Sequence, residues 1–250
     1  MAFTRRTPYR YYNFRAIVRG PGPCGIIKDV KRVLRYQLMA GVVGLLAAYL
    51  VLAVAAAQQR FLPIDRSVRE WVQPLRSGWL DLSMATVSFL GEPVGLIILI
   101  LIASAALWRA SRRWALLLPI LMAGTGVLQL AGKWAANRPR PNATPWGFPS
   151  GHVLSLAVFF GVTAFLLFTL SDRRRRWRIL ACLACGVAVG LVAMSRIYLD
   201  MHWLSDVIGG FALGTAYLLI AVWTAHTVFG RSARSPAVAV AAPLEAIPPA

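Results

Sequence analysis

Apolar residues follow one another in six long runs, and the segments between the runs hold nearly all of the charged side chains. A helix needs about 20 apolar residues to cross the ~30 Å hydrocarbon core of a bilayer. Most of the runs are close to that length, so the pattern predicts an all-α protein with six membrane-spanning helices. The runs lie at 38–57, 82–108, 114–132, 152–170, 179–194 and 207–229.

The second run is interrupted by Gly91-Glu92-Pro93, and this break leaves two arrangements open. Either one tilted helix crosses the membrane, or a short interfacial helix ends here and the span begins at Pro93, a favoured first helical residue. In the second arrangement Glu92 precedes a helix. We interpret its carboxylate as a cap at the membrane surface rather than as a catalytic group.

Composition supports the membrane assignment and narrows the possible partners. Hydrophobic residues make up 58% of the 250 residues and charged residues 14%, whereas soluble domains have about 25% charged residues. The net charge of +18 is divided among short segments rather than spread over one solvated surface, which excludes a soluble nucleic-acid binder. Three cysteines provide no disulfide framework.

The distribution of lysine and arginine predicts how the chain is oriented, because cytoplasmic loops carry the excess of these residues. Nineteen lie in the two termini and the loops after spans two and four, against eight in the other loops. We expect a multi-pass protein of the inner (plasma) membrane. Both termini would be cytoplasmic, and the loops after spans one, three and five would face outward.

Three regions follow from this layout. Residues 1–37 form a basic cytoplasmic segment suited to contact with anionic lipid. Residues 38–229 form the six-span domain, and residues 230–250, rich in alanine and proline, form a disordered cytoplasmic tail.

Two outward loops carry more polar groups than a connector needs, and polar groups at membrane depth are costly enough to be functional candidates. The loop after the third span contributes Lys133 and Arg140, and the loop after the fifth contributes Arg196. Arginine matches phosphate oxygens with a fork of N–H groups. Three cations on one side of the membrane therefore predict a phosphate site.

Pro149-Ser150-Gly151 stands directly before the fourth apolar run. Ser150 is typical of a helix N-cap, and Gly151 would let a substrate approach the backbone. Free N–H groups at the start of a helix, together with its dipole, attract anions. Ser150 and Gly151 are therefore candidates for the same phosphate site.

Two of the three histidines lie in these loops. His202 and Asp206 are four residues apart, which would place them on one face of a helix. A carboxylate that holds one imidazole nitrogen fixes the tautomer and leaves the other nitrogen as a nucleophile. His152 supplies a second imidazole for proton transfer. This set predicts phosphoryl transfer through a phosphohistidine.

We expect no metal and no other cofactor. Two histidines and one aspartate are ligands that zinc accepts, and Asp200 is one loose additional candidate. However, three nearby cations would repel a divalent ion, and their charge already offsets that of a phosphate.

Three sequence blocks, K-x6-R-P, P-S-G-H and S-R-x5-H-x3-D, resemble the signature of the type-2 phosphatidic acid phosphatase superfamily. All specified positions are matched, namely Lys133, Arg140, Pro141, Pro149, Ser150, Gly151, His152, Ser195, Arg196, His202 and Asp206. The resemblance covers roughly residues 38–229. It implies a six-helix membrane bundle with the active site at the outer surface.

The resemblance also implies a role for each residue. His202 is the implied nucleophile, Asp206 its orienting partner, and His152 the acid on the leaving group and then the base on water. The implied phosphate ligands are Lys133, Arg140, Ser150, Gly151 and Arg196. We interpret Ser195 as a helix-end cap. Arg138 lies outside the signature and either contacts a second phosphate or is solvated, and we favour solvation.

The predicted function is removal of a terminal phosphate from a lipid phosphate or pyrophosphate at the outer leaflet. Undecaprenyl pyrophosphate is the best candidate, while phosphatidate, phosphatidylglycerol phosphate and lipid A phosphate stay open, as does the oligomeric state. A lipid phosphotransferase would use the same site with an acceptor hydroxyl. A vanadate-binding haloperoxidase has a similar pocket, but the six predicted spans disfavour it. A non-catalytic scaffold that binds anionic lipid is also disfavoured, because it has no need of the paired His202 and Asp206.

Overall fold

The computed structural model describes residues 23–171 and 173–232. Every regular element within these ranges is helical, and they contain no strand. A 3-10 turn (Gln73–Leu75) follows the second helix. In chain order the α-helices are α1 (Pro23–Ala57), α2 (Pro63–Val72), α3 (Gly78–Phe89), α4 (Pro93–Ala110), α5 (Arg112–Ala136), α6 (Gly151–Leu170), α7 (Arg175–Tyr198) and α8 (Leu204–Ser232).

Six helices in the described part of the chain are long and apolar enough to cross a membrane, namely α1, α4, α5, α6, α7 and α8. Five of them contain a whole predicted apolar run, and α4 contains the second run from Pro93 onward, so the all-α, six-span prediction is confirmed. The second run is divided in the way that the Pro93 arrangement requires, because α3 ends at Phe89 and α4 begins at Pro93. The alternative of one tilted helix over 82–108 is therefore wrong.

The ends of the first and last spans extend beyond the apolar runs. Residues 23–37 are helical, and residues 230–232 complete α8 rather than starting a tail. Backbone hydrogen bonds carry a helix through polar residues, so hydropathy alone marks the ends poorly. Residues 1–22 of the predicted basic segment and residues 233–250 of the predicted tail lie outside the described residues.

Helix α6 lies at the centre of the bundle and packs against α5, α7 and α8. Its apolar side chains join those of α5 in the largest core cluster, which includes Leu118, Val158 and Val162. The contact with α8 is so close that a Cβ atom at Gly210 or Gly214 would lie only 2.5 or 2.7 Å from a backbone oxygen at the start of α6. Small residues permit this approach of membrane helices.

The segment between α1 and α4 contains two helices, namely the predicted short helix α3 and helix α2, which no apolar run predicts. Helix α3 is fastened to the end of α7, because the Tyr198 hydroxyl donates to Asp81 Oδ1 at 2.7 Å and accepts from the Ser77 N–H at 3.1 Å. Helix α2 buries only Asp65. Both helices contribute contacts to the site that the two signature loops form.

Candidate active site

A cavity of about 830 Å³ lies among α4, α5 and α6 and reaches the end of α7. Its polar end is lined by six of the eight predicted site residues, which are Lys133, Arg140, Gly151, His152, Arg196 and His202. The structure thus brings together side chains from both signature loops. Of the other two predicted residues, Ser150 is adjacent to Gly151, and Asp206 lies behind His202.

Lys133 and Arg140 reach the cavity because α5 stops sharply between them. Asn137 adopts a left-handed conformation (φ 42°) that ends the helix, and its N–H donates to the Lys133 carbonyl. The following loop folds back on itself, with the Gly147 N–H donating to the Arg138 carbonyl at 2.7 Å. Arg140 is held similarly, since its N–H donates to the Thr144 carbonyl at 2.8 Å.

Four buried polar atoms of the predicted site residues have no hydrogen-bond partner among the described residues, namely Arg140 Nε, Arg196 Nε, Ser150 Oγ and His202 Nδ1. Buried donors are rarely left unpaired in folded proteins. Ser150 occupies the predicted N-cap position of α6, but its side chain makes no capping bond. The two arginine nitrogens are donors and the serine hydroxyl can donate, which is the chemistry that a phosphate group requires.

Gly151 makes room for a neighbouring side chain as well as lining the cavity. A Cβ atom at this position would collide with Gln129 Oε1 on α5. The absence of a side chain therefore allows α5 and the start of α6 to approach each other at the site.

His202 is 2% exposed, and its Nδ1 lies 3.6 Å from Asp206 Oδ2. The prediction that the two share a helix face is wrong, because His202 lies in a turn before α8. The N–H groups of Met201 and His202 both donate to the Arg196 carbonyl in this turn. The pairing itself is present, at a distance longer than a hydrogen bond. Burial lowers the pKa of His202, and the Asp206 carboxylate opposes that shift. The ring is therefore neutral near neutral pH.

Arg138 is neither solvated nor a wall of the cavity, so both predicted alternatives are wrong. It is 1% exposed, and its guanidinium donates to Asp206 Oδ1 at 2.9 Å and to Asp65 Oδ2 at 3.1 Å. Two buried carboxylates require a cation, since an unpaired buried charge is strongly unfavourable. This ion pair holds Oδ1 of Asp206, while Oδ2 accepts from the Trp203 N–H at 2.9 Å and lies 3.6 Å from His202 Nδ1.

Asp65 completes this buried cluster from helix α2. Its two oxygens accept from the Ser205 N–H and the Ser205 hydroxyl, each at 2.8 Å. No sequence pattern connects residue 65 with residue 205, because the contact joins segments 140 positions apart. Asp65 and Arg138 are thus site-supporting residues that sequence reasoning missed.

Glu92 is the second residue that sequence reasoning misinterpreted. It stands at the N-cap position of α4 as predicted, but its side chain makes no capping bond. Instead its Oε1 lies 3.0 Å from His152 Nε2 and 3.8 Å from Arg196 Nη1, and it lines the cavity. An ionisable residue at a break in a membrane helix was the signal available in the sequence.

Two further predicted residues have structural contacts. Ser195 lies inside the last turns of α7 and donates to the Val192 carbonyl at 2.7 Å, so it is not a helix-end cap. Asp200 accepts two hydrogen bonds from Arg69, at 2.6 and 2.8 Å. Within the described residues no group of three histidine, cysteine, aspartate or glutamate side chains is placed to hold a metal ion.

Known proteins resemble this chain in both sequence and fold. The family model of the PAP2 superfamily matches residues 114–229, which include all three signature blocks. Phosphatidylglycerophosphatase B of Bacillus subtilis (strain 168) is 31% identical over 180 residues, covering 69% of this chain and 88% of that protein.

A solved structure, described as the first transmembrane PAP2 type phosphatidylglycerolphosphate phosphatase from Bacillus subtilis, superposes with a TM-score of 0.67. It is 27% identical, and the match covers 75% of this chain and 96% of that one. The sequence match, the fold and the assembled signature blocks agree. The chain therefore belongs to the PAP2 superfamily and is a multi-pass membrane phosphatase of the PAP2 type.

Proposed function

We propose that the protein removes the terminal phosphate of a lipid phosphate at the outer leaflet, without a metal, through a phosphohistidine on His202. This proposal rests on one observation: a single cavity has a polar end and an apolar end. Three cations and two histidines line the polar end, and apolar side chains of α4 and α5 line the rest.

The apolar part of the cavity suits a hydrocarbon chain. It is lined by side chains that lie in the membrane-spanning parts of α4 and α5, namely Leu96, Ile97, Ile100, Leu101, Met122, Ala123 and Leu130. A lipid bound here would keep its chain at bilayer depth while its phosphate reaches the cations. A water-soluble phosphate ester would leave this surface unused.

In the first step Nε2 of His202 attacks phosphorus, because Nδ1 faces Asp206. The bond between phosphorus and the lipid oxygen breaks, and His152 gives that oxygen a proton. In the second step His152 takes a proton from water, whose oxygen attacks phosphorus and breaks the bond to His202. Lys133, Arg140 and Arg196, with Ser150 and the N–H groups at the start of α6, stabilise the phosphate charge in both steps.

Both similar proteins are named as phosphatases of phosphatidylglycerol phosphate, so we propose this lipid as the first substrate to test. Undecaprenyl pyrophosphate, the candidate from sequence analysis, is the second, because its short headgroup also suits this cavity. Phosphate release by purified protein from these two lipids, phosphatidate and lipid A phosphate, compared by kcat/KM, ranks them. Absence of release from every lipid would refute the proposed function.

Removal of divalent metal should leave the activity unchanged, because the three cations and the helix start offset the phosphate charge. We expect full phosphate release in EDTA and inhibition by vanadate, which adopts the five-coordinate geometry of the transition state. Activity that EDTA abolishes and magnesium or zinc restores would contradict the metal-free mechanism.

We also propose that the protein lies in the inner (plasma) membrane with both termini cytoplasmic and the site extracytoplasmic. In a variant lacking its three cysteines, Pro145→Cys in the α5–α6 loop should react with a membrane-impermeant maleimide on intact cells. The matched control, Arg174→Cys before α7, should react only after the cells are opened. The reverse pattern would overturn both the orientation and the choice of leaflet.

A further inference from the structure

The corner between α3 and α4 contacts two residues of the signature blocks, although it belongs to none of them. Ser88, near the end of α3, accepts a 2.7 Å hydrogen bond from Arg196 Nη1. Glu92, directly before α4, lies 3.0 Å from His152 Nε2. One short segment thus reaches a phosphate-binding arginine and the proposed acid–base histidine.

Gly91 shows how closely this corner approaches His152. A Cβ atom at Gly91 would lie 2.5 Å from the Cδ2 atom of the imidazole and 2.8 Å from its Cγ. No other residue type fits here without moving the ring. The imidazole is therefore packed against the backbone of residue 91 while its Nε2 faces the next side chain.

We propose that Glu92 is a positioning residue for His152, an inference that rests on the proposed function. The carboxylate accepts a hydrogen bond from the Nε2–H group and holds the ring on Gly91. In the neutral imidazole one nitrogen donates and the other accepts, so this bond fixes the tautomer whose Nδ1 carries the lone pair.

The fixed tautomer defines the path of the proton. In the first step the proton on Nδ1 moves to the lipid oxygen as its bond to phosphorus breaks, while the Nε2–H bond to Glu92 is kept. In the second step Nδ1 takes a proton from the attacking water, which restores the imidazolium. The negative charge of Glu92 stabilises the imidazolium that begins and ends this cycle.

The test compares two leaving groups in Glu92→Gln and Glu92→Ala. An alkyl lipid phosphate needs a proton on its leaving oxygen, whereas an aryl phosphate such as 4-nitrophenyl phosphate leaves without one. Partners that orient a functional histidine are worth about 10- to 100-fold in activity. We expect a loss of that size in kcat for the lipid, whereas the first step on the aryl ester, measured as the burst of 4-nitrophenolate, should slow less than about threefold.

Two controls accompany these variants. Glu70→Gln removes a carboxylate from the exposed surface of α2, and should leave kcat for both substrates at the wild-type value. The double variant Glu92→Gln/His152→Ala should be no slower than His152→Ala alone, because Glu92 acts through that ring.

A first step on the aryl ester that slows as much as kcat for the lipid, or additive losses in the double variant, would overturn the role of Glu92 while leaving the phosphatase function intact. A wild-type protein that releases phosphate from neither substrate would overturn the function and this role with it.

A spectroscopic measurement tests the same contact without turnover. In protein labelled with ¹⁵N-histidine, at a pH high enough to deprotonate the ring, the signals of His152, assigned with His152→Ala, should show the Nε2–H tautomer. In Glu92→Ala they should show a mixture of tautomers. A wild-type ring in the Nδ1–H tautomer would refute the contact that we propose.

Discussion

His202→Ala is expected to abolish phosphate release from every substrate, whereas His152→Ala should leave a slow enzyme. In the proposed mechanism, loss of His202 removes the atom that bonds to phosphorus. Loss of His152 removes only proton transfer, which contributes about 10²- to 10⁴-fold. On an aryl phosphate the first step of His152→Ala should be nearly normal, because that leaving group departs without a proton.

The measurement is steady-state phosphate release from a lipid phosphate and an aryl phosphate, with the amount of folded protein checked by size-exclusion chromatography. His226→Ala is the matched control, because His226 is the remaining histidine and is not part of the signature blocks. Residual activity in His202→Ala that equals that of His152→Ala would contradict the division of roles.

Arg138→Met is expected to lower the free energy of unfolding by about 3–5 kcal/mol, because it leaves the buried carboxylates of Asp65 and Asp206 without their cation. Activity should also fall, since Asp206 loses the contact that fixes Oδ1. Denaturation in detergent, followed by tryptophan fluorescence, measures the stability. Arg66→Met, at an exposed position of α2, is the matched control and should change neither quantity.

A second variant distinguishes the effect of Arg138 on stability from its effect on the geometry of the site. Arg138→Lys keeps the positive charge but lacks the fork that contacts two carboxylates and Ser205 at once. We expect it to retain more stability than Arg138→Met while still losing activity. Wild-type stability in Arg138→Met would show that this buried ion pair does not hold the site together.

The spans and the signature residues could be predicted because both are encoded locally. Hydropathy over about 20 residues identifies a membrane helix whatever its neighbours are. The signature blocks place their functional groups at short, fixed separations, as in Pro149-Ser150-Gly151-His152. The six-span fold and the family followed from these two kinds of pattern.

The contacts that support the site could not be predicted because they join distant segments. Arg138 stands among other arginines in a polar loop, and only the folded chain brings it to Asp65 on α2. Helix α2 itself is short and polar, so no apolar run reveals it. The sequence led us to interpret Glu92 as a cap, because a carboxylate before Pro93 fits that role until His152 is placed beside it.

The most direct test of the phosphohistidine mechanism uses His152→Ala with a ³²P-labelled aryl phosphate. This variant lacks the base that activates water, so the phosphoenzyme should accumulate. Rapid quenching at alkaline pH, followed by peptide mapping, should locate the label on His202, and the label should be acid-labile. Label at another residue, or equal labelling of the double variant His152→Ala/His202→Ala, would contradict the account.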